Sequence, residues 1–388
     1  MPTASYSKRN HLTLLFRGAE FFPALIDAID AAENEIYLET YIFASDRTAD
    51  LVKAALMRAA ARGTRVHVLA DWLGTGADRC AALAAEFAAA DVQFHAFNPW
   101  FHRGLARSHR KIVVVDGRLA FLGGLNINDD MLSDDDDAQP LPAPRWDFAV
   151  GISGPLVASI HAEVTAQWAR QQPKTLLRHW QSLQQLRASR IRLGQVVAAA
   201  ALVVRDNLRN RRTIQRAMLQ ALGRAHDTAY FVTPYFAPDY KLRQALEMAA
   251  RRGVKVSLLI GVGQFRMQDA VAQSYYPKLS AAGVHIVEFR QTQLHAKIAV
   301  IDDNWATVGS SNFDGLSLFV NQEANILVRD ADFALALRKH IVLGIAQGVV
   351  ISADQVAHLS VGRRVLNSLA YLLYKSVLQV ITAGRSIK

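Results

Sequence analysis

The sequence predicts an α/β protein of two similar domains, each a β-sheet flanked by helices, related by a pseudo-twofold axis and sharing one active site. Two observations predict it. The phrase His109-Arg-Lys111 with Asp116 recurs 186 residues later as His295-Ala-Lys297 with Asp302. Each copy then runs into a small-residue turn, Gly123-Gly124-Leu125-Asn126 and Gly309-Ser310-Ser311-Asn312. The text around both copies repeats as well, which makes the chain a duplication. Boundaries are expected at 1–175 for the first domain, 176–345 for a linker and the second, and 346–388 for a helical extension.

Taken in order, residues 22–32 and 214–224 read as amphipathic helices and residues 35–41 and 228–235 as the strands that follow. The next helices end in Ala61-Arg62-Gly63-Thr64-Arg65-Val66 and Arg251-Arg252-Gly253-Val254-Lys255-Val256, each leading into an apolar strand. Residues 108–115 and 294–301 are rich in β-branched side chains and read as strands. Side chains at i and i+2 on a strand share a face, so His109 lies beside Lys111 and His295 beside Lys297. After Asp116-Gly117 and Asp302-Asp303-Asn304 the chain turns back at 119–122 and 306–308. The glycines and serines that follow are expected to bring backbone N–H groups close to a bound anion, with Asn126, Asn312 and Ser311 as further contacts. Trp146-Asp147-Phe148-Ala149-Val150 parallels Gln322-Glu323-Ala324-Asn325-Ile326. Asp147 follows His109 by 38 residues and Glu323 follows His295 by 28. An insertion around Asp134-Asp135-Asp136-Asp137 and Pro140, Pro142 and Pro144 absorbs the difference.

These motifs resemble the phospholipase D superfamily over roughly residues 10–345, and within it the bacterial cardiolipin synthases of the shorter, B type. The supporting text includes Leu38-Glu39-Thr40-Tyr41, Phe121-Leu122-Gly123-Gly124-Leu125-Asn126 and Thr233-Pro234-Tyr235-Phe236. One His-x-Lys-x4-Asp copy is a weak signal; two with matching turns are strong. The resemblance implies two phospholipase D-like domains and a catalytic set of His109, Lys111, Asp116, His295, Lys297 and Asp302. It also implies that the first motif supplies the nucleophile.

Two histidines and two lysines around one cavity suit a phosphodiester. The lysines offset charge building on the non-bridging oxygens. One neutral histidine attacks phosphorus, and the other, protonated, donates to the leaving alcohol; the roles then reverse. The residues alone leave open which histidine attacks. An acidic residue on each ring's far nitrogen fixes the tautomer, and Asp147 and Glu323 are the candidates. Asp116 and Asp302, each at a strand end before a turn, read as structural members of the motif. Glu39 and Tyr235 end strands where they either line the pocket or pack the fold.

Composition sets further bounds. With 388 residues the chain has room for two cores, and its single cysteine, Cys80, excludes an internal disulfide. No cofactor is expected, and no zinc or EF-hand ligand spacing appears, so no metal is expected either. The first 18 residues carry no apolar signal-peptide core, and no apolar run approaches the ~20 residues of a membrane span. A net charge of +10 points to an anionic partner. Basic residues cluster at 187–192, at 205–216 and around the first motif, near Pro99-Trp100-Phe101. That aromatic group suits either a membrane interface or loop packing. Near the C-terminus Leu366, Leu369, Ala370, Leu373, Val377, Val380 and Ile381 fall on one helical face, and Asn367, Tyr371, Lys375 and Gln379 on another. Docking of the apolar stripe on its own domain is the commoner explanation; lying in a membrane surface is the other.

The expected function is phosphatidyl transfer between two phosphatidylglycerol molecules, giving cardiolipin and glycerol through a phosphohistidine, at the cytoplasmic face of a bacterial inner membrane. Hydrolysis to phosphatidic acid uses the same residues. A nuclease of the superfamily fits the basic charge, but no nucleic-acid module is visible. A lipid-binding scaffold with idle motifs is the non-enzymatic alternative.

Overall fold

The computed structural model describes residues 4–134, 138–171, 196–206, 210–315, 317 and 320–382. Residues 135–137 of the acidic run, the basic cluster at 187–192 and the Ile381 side chain lie outside the described part. The chain separates into two compact units. One holds Ser5–Asp130 and Phe148–Leu202; the other holds Met131–Asp147 and Val203–Lys388 with the extreme N-terminus. The units are therefore not the contiguous blocks that a boundary at 175 expects. Met131–Asp147, which contains the insertion expected around Asp134 to Asp137 and Pro140, Pro142 and Pro144, packs with the second motif.

The first unit contains β1 (Ser7–Phe16), β2 (Glu35–Thr40), β3 (Arg65–Asp71), β4 (Gln93–Phe97), β5 (His102–Leu105), β6 (Ile112–Val115), β7 (Leu119–Gly123), β8 (Phe148–Ser153) and the larger part of β9 (Val196–Arg205), whose last residues from Val203 belong to the second. Its sheet runs β9-β1-β8-β7-β6-β2-β3-β4. Here β2, β3 and β4 are parallel and the other neighbours antiparallel. The second unit contains β10 (Thr228–Thr233), β11 (Phe236–Ala237), β12 (Lys255–Gly261), β13 (His285–Phe289), β14 (Ile298–Ile301), β15 (Trp305–Gly309), β16 (Phe313–Asp314), β17 (Glu323–Arg329) and β18 (Val349–Ile351). Its order is β18-β13-β12-β10-β14-β15-β17. The run β8-β7-β6-β2-β3-β4 thus has the same topology as β17-β15-β14-β10-β12-β13. Register agrees: Ile36 faces Val115 as Ala229 faces Ile301. The extension after 345 is not purely helical, since β18 pairs with β13.

Local chemistry explains why both halves take this form. Asp46 caps the helix Arg47–Ala61 by accepting from Ala49 N at 2.8 Å, and Asp239 caps Tyr240–Arg251 by accepting from Leu242 N at 2.9 Å. The repeated Arg-Gly ends those helices. Gly63 and Gly253 sit at φ +92° and +94° and donate back to Ala60 and Ala250 carbonyls. That left-handed stop suits glycine, which has no Cβ to strain. The helices Arg17–Asp30 and Arg47–Ala61 bury Leu25, Ile29, Val52 and Leu56 against Val113, Val115 and Phe121. Strands buried on both faces, such as β6 and β14, read as continuous apolar runs for the same reason.

Candidate active site

In each unit the motif histidine and lysine sit just before the regular strand, not within it. The strands begin at Ile112 and Ile298, so the reading of 108–115 and 294–301 as unbroken strands is corrected. The lead-in is held by the motif itself: Lys111 Nζ donates to the His109 carbonyl at 2.9 Å, and Lys297 Nζ donates to the His295 carbonyl. All four side chains are buried.

Around His109, the ring meets Tyr41 edge-on at 4.9 Å, and Lys111 Nζ lies 5.2 Å from the centre of the Tyr41 ring. Asp71 Oδ2 accepts from Ser108 N at 2.7 Å while its other oxygen accepts from Leu73 and Gly74 N, pinning the segment that enters the motif. Burial pushes the Asp71 carboxyl up to about 6. Arg110 turns to the opposite side. Its guanidinium donates to both Glu39 oxygens at 2.8 Å and to Glu163, on the helix Leu156–Ala169, at 2.7 Å. Glu39 is therefore an anchor of the motif, held through the Arg110 guanidinium. Tyr41, two residues on, is the strand-end residue that touches the histidine. Tyr235 donates to Gln264 at 3.4 Å and meets Phe265, which gives it a packing role.

Around His295, Nδ1 lies 2.7 Å from Asp147 Oδ2. Backbone N–H groups of His295 and Ala296 donate to the Trp146 carbonyl at 3.0 and 3.1 Å, fixing ring and carboxylate relative to one another. The other ring nitrogen, Nε2, lies 3.5 Å from Asp134. Arg145 holds Asp134 at 3.1 Å, and Gln293 accepts from Asp134 N at 3.1 Å and from Arg145 at 3.2 Å. Lys297 is wholly buried, and burial lowers its ammonium to about 8, with Asp147, Asp134 and Glu323 acting in the opposite direction. Glu323 accepts from Ser310 Oγ at 2.5 Å.

Asp116 and Asp302, included in the catalytic set that the family pattern implies, occupy the far ends of the strands from the histidines. Asp116 accepts from Glu33, Asn34 and Glu35 N at 2.7–3.0 Å. Asp302 accepts from His226, Asp227 and Thr228 N, with 2.8 Å to Asp227 and 3.0 Å to Thr228. Burial raises the Asp302 carboxyl, but those three bonds outweigh it and hold it below its ordinary value. Both residues take left-handed backbone, φ +52° and +50°, and tie the hairpin to the chain entering β2 or β10. Each holds its hairpin in place from the end of the strand away from the histidine.

The turn glycines also need a corrected role. Gly123 and Gly124 donate to the Lys111 and Phe148 carbonyls, and Ser310 to the Ala324 carbonyl, so these N–H groups are spent inside the sheet. Glycine is required because a Cβ would fall 2.3 Å from the Phe148 carbonyl at Gly123, or from the Asn325 side chain at Gly309. Ser311 N donates to Asn325 and its hydroxyl to the Asn312 carbonyl. The asparagines differ: Asn126 Nδ2 and Asn312 Oδ1 are buried side-chain atoms without a hydrogen-bond partner. Amide oxygen and nitrogen are interchangeable in assignment, so both can present a donor to an anion.

A histidine backed by a carboxylate, a buried lysine beside it and an unspent amide are the parts of a phosphodiester site. A family model described as "Cardiolipin synthase, PLD-like domain" matches residues 25–139 and 218–342, once in each half, and the chain belongs to this family. Cardiolipin synthase B of Salmonella typhi is 37% identical over 350 residues, covering 88% of this chain and 81% of that protein. Cardiolipin synthase B of Escherichia coli strain K12 is 35% identical over 344 residues, covering 87% and 81%. The phosphatidylserine synthase of Haemophilus influenzae Rd KW20 shares the fold at TM-score 0.68 and 14% identity, over 99% of this chain and 97% of that one.

Asp147→Asn is expected to lower kcat by about 10²- to 10⁴-fold, because an amide no longer favours the tautomer and the imidazolium that acid–base work needs. A steady-state pH profile checks it. A change in stability alone, with kcat and its pH profile intact, would make Asp147 merely structural.

Proposed function

We propose that the chain is a cardiolipin synthase that moves a phosphatidyl group from one phosphatidylglycerol to the terminal hydroxyl of another. His109 attacks phosphorus, forming the N–P bond as the bond to the glycerol headgroup breaks. His295 gives its proton to that departing glycerol oxygen. The second phosphatidylglycerol then gives its hydroxyl proton to His295 and attacks phosphorus, and His109 leaves. One phosphodiester replaces another, so the exchange runs without nucleotide. Lys111 and Lys297 offset charge on the non-bridging oxygens, with Asn126 and Asn312 as uncharged donors. In this reading the protein acts peripherally, on the cytoplasmic face of a bacterial inner membrane. Among the described residues no helix is long and apolar enough to cross a membrane.

The observation that carries this reading is the duplicated His-x-Lys motif in a chain that is over a third identical to cardiolipin synthases B across most of its length. The test is product analysis on phosphatidylglycerol vesicles without nucleotide. One glycerol released per cardiolipin formed is the expected result. Phosphatidic acid as the product would make water the acceptor and the protein a phospholipase.

Lys297 sets a pH limit. Its ammonium, lowered to about 8 by burial, is charged below that pH and neutral above it. In the free enzyme kcat/KM should fall as pH rises through about 8, approaching tenfold per unit. Bound anionic substrate stabilises the charged form, so kcat falls at higher pH than kcat/KM. A kcat/KM flat from pH 7 to pH 10 would remove Lys297 from phosphate binding.

A further inference from the structure

The C-terminal helix Val361–Thr382 is docked the opposite way round from the expectation that its apolar stripe faces the protein. Asn367, Ala370, Tyr371, Tyr374 and Leu378, on one side of the helix, form the face turned inward. Tyr374 Oη accepts from Gly315 N at 2.8 Å, Tyr371 meets Tyr275 edge-on at 5.7 Å, and Ala370 is buried with Ala270 and Val271 of the helix Arg266–Gln273. The opposite face carries Leu366, Leu369, Leu372, Leu373, Val377 and Val380, all exposed, Leu369 by 59% and Val380 by 76%. A protein in water seldom presents so continuous an apolar stripe without a partner.

From this geometry we infer that the stripe is a membrane-docking surface whose occupant is a bilayer containing anionic phospholipid. At 22 residues the helix is roughly 33 Å long, and its inward face is already bound to the domain, so it lies along a surface and does not cross it. Arg364, Ser368, Lys375 and Gln379 form one line along the border between the docked and exposed faces. On the other border Arg363 donates to Gln273 at 2.8 Å. Cations beside an apolar stripe match a layer that is apolar within and anionic at the headgroups, and the chain's +10 charge favours the same partner. The choice of bilayer over another protein rests on the proposed phosphatidylglycerol chemistry, since the substrate must be taken from such a layer.

The test compares the full chain with Leu369→Glu/Leu373→Glu, which alters only exposed positions. Flotation with vesicles of phosphatidylcholine and phosphatidylglycerol reads binding without turnover. Monomeric short-chain phosphatidylglycerol, below its micellar concentration, reads the active site without a membrane. Binding is expected to fall at least about tenfold, with activity on vesicles falling in parallel and activity on the monomeric lipid unchanged. Undiminished vesicle binding overturns the inference. So does a dimer in solution that the double substitution splits while vesicle binding persists, because the stripe would then be covered by a second copy. If neither protein turns over any lipid but the difference in vesicle binding stands, the functional reading fails and the docking surface is supported.

Discussion

His109→Ala is expected to abolish formation of cardiolipin, with a loss of at least roughly 10³-fold, because in the proposed scheme His109 carries the phosphatidyl intermediate. His295→Ala should be nearly as slow in steady turnover but for a different reason. The nucleophile remains, so a slow first half-reaction should release at most one glycerol per active site and then stall without its acid–base partner. Rapid-quench measurement of glycerol separates the two variants. The double variant should be little worse than either single one, since groups that act as a unit lose their effect together. Full turnover in either single variant would end the two-histidine scheme.

Arg110→Ala should be the most destabilising substitution near the site. It leaves Glu39, almost completely buried, without the cation bonded to it and with only the longer-range pull of Arg170, and frees Glu163 as well. Removing one partner of such a pair costs about 3–5 kcal/mol, which lowers the unfolding midpoint of the unit that holds Arg110, about 180 residues unfolding by itself, by roughly 6–20 °C. Arg110→Met combined with Glu39→Leu should recover most of the loss, because the cost lies in the stranded charge more than in the missing bond. Thermal unfolding of the three proteins decides it. Equal midpoints for Arg110→Ala and the original chain would show that Glu39 finds another partner. Since Arg110 lies between His109 and Lys111, lost stability should be accompanied by lost activity.

The duplication was readable because period, caps and turns are local properties. Asp46 and Asp239, Gly63 and Gly253, and the two His-x-Lys phrases stand at matching places in sequence and in the sheets. Which carboxylate serves which ring was not readable. Asp147 and Glu323 occupy matching positions, yet Asp147 lies against His295 because Met131–Asp147 packs with the second motif. Nothing in residue spacing reports that change of partner. The proximity of Asp134 to His295 Nε2 is hidden for the same reason: it stands in the stretch expected as an insertion, and the buried Arg145 and Gln293 that hold it are identifiable only in three dimensions.

Other differences follow from packing. For Glu39, at a strand end beside the motif, pocket lining and fold packing are equal readings of the sequence; its side chain is bonded to Arg110. The second motif has Ala296 and Val232 at the corresponding places, an uncharged solution at the same points of the sheet. A comparison of the repeats for charge would have exposed that pairing. The C-terminal helix was correctly read as amphipathic, but periodicity does not say which face docks. Two tyrosines and a backbone N–H decided it, leaving the apolar face outward.

The most direct test of the central claim is to trap the intermediate. The protein is mixed with phosphatidylglycerol, quenched within its first turnover under alkaline conditions that preserve phosphohistidine, digested and mapped by mass spectrometry. A phosphatidyl adduct on His109, appearing and decaying at rates compatible with turnover, is the predicted result. An adduct on His295 would reverse the assigned roles, and cardiolipin formed with no adduct on either histidine would contradict the covalent mechanism.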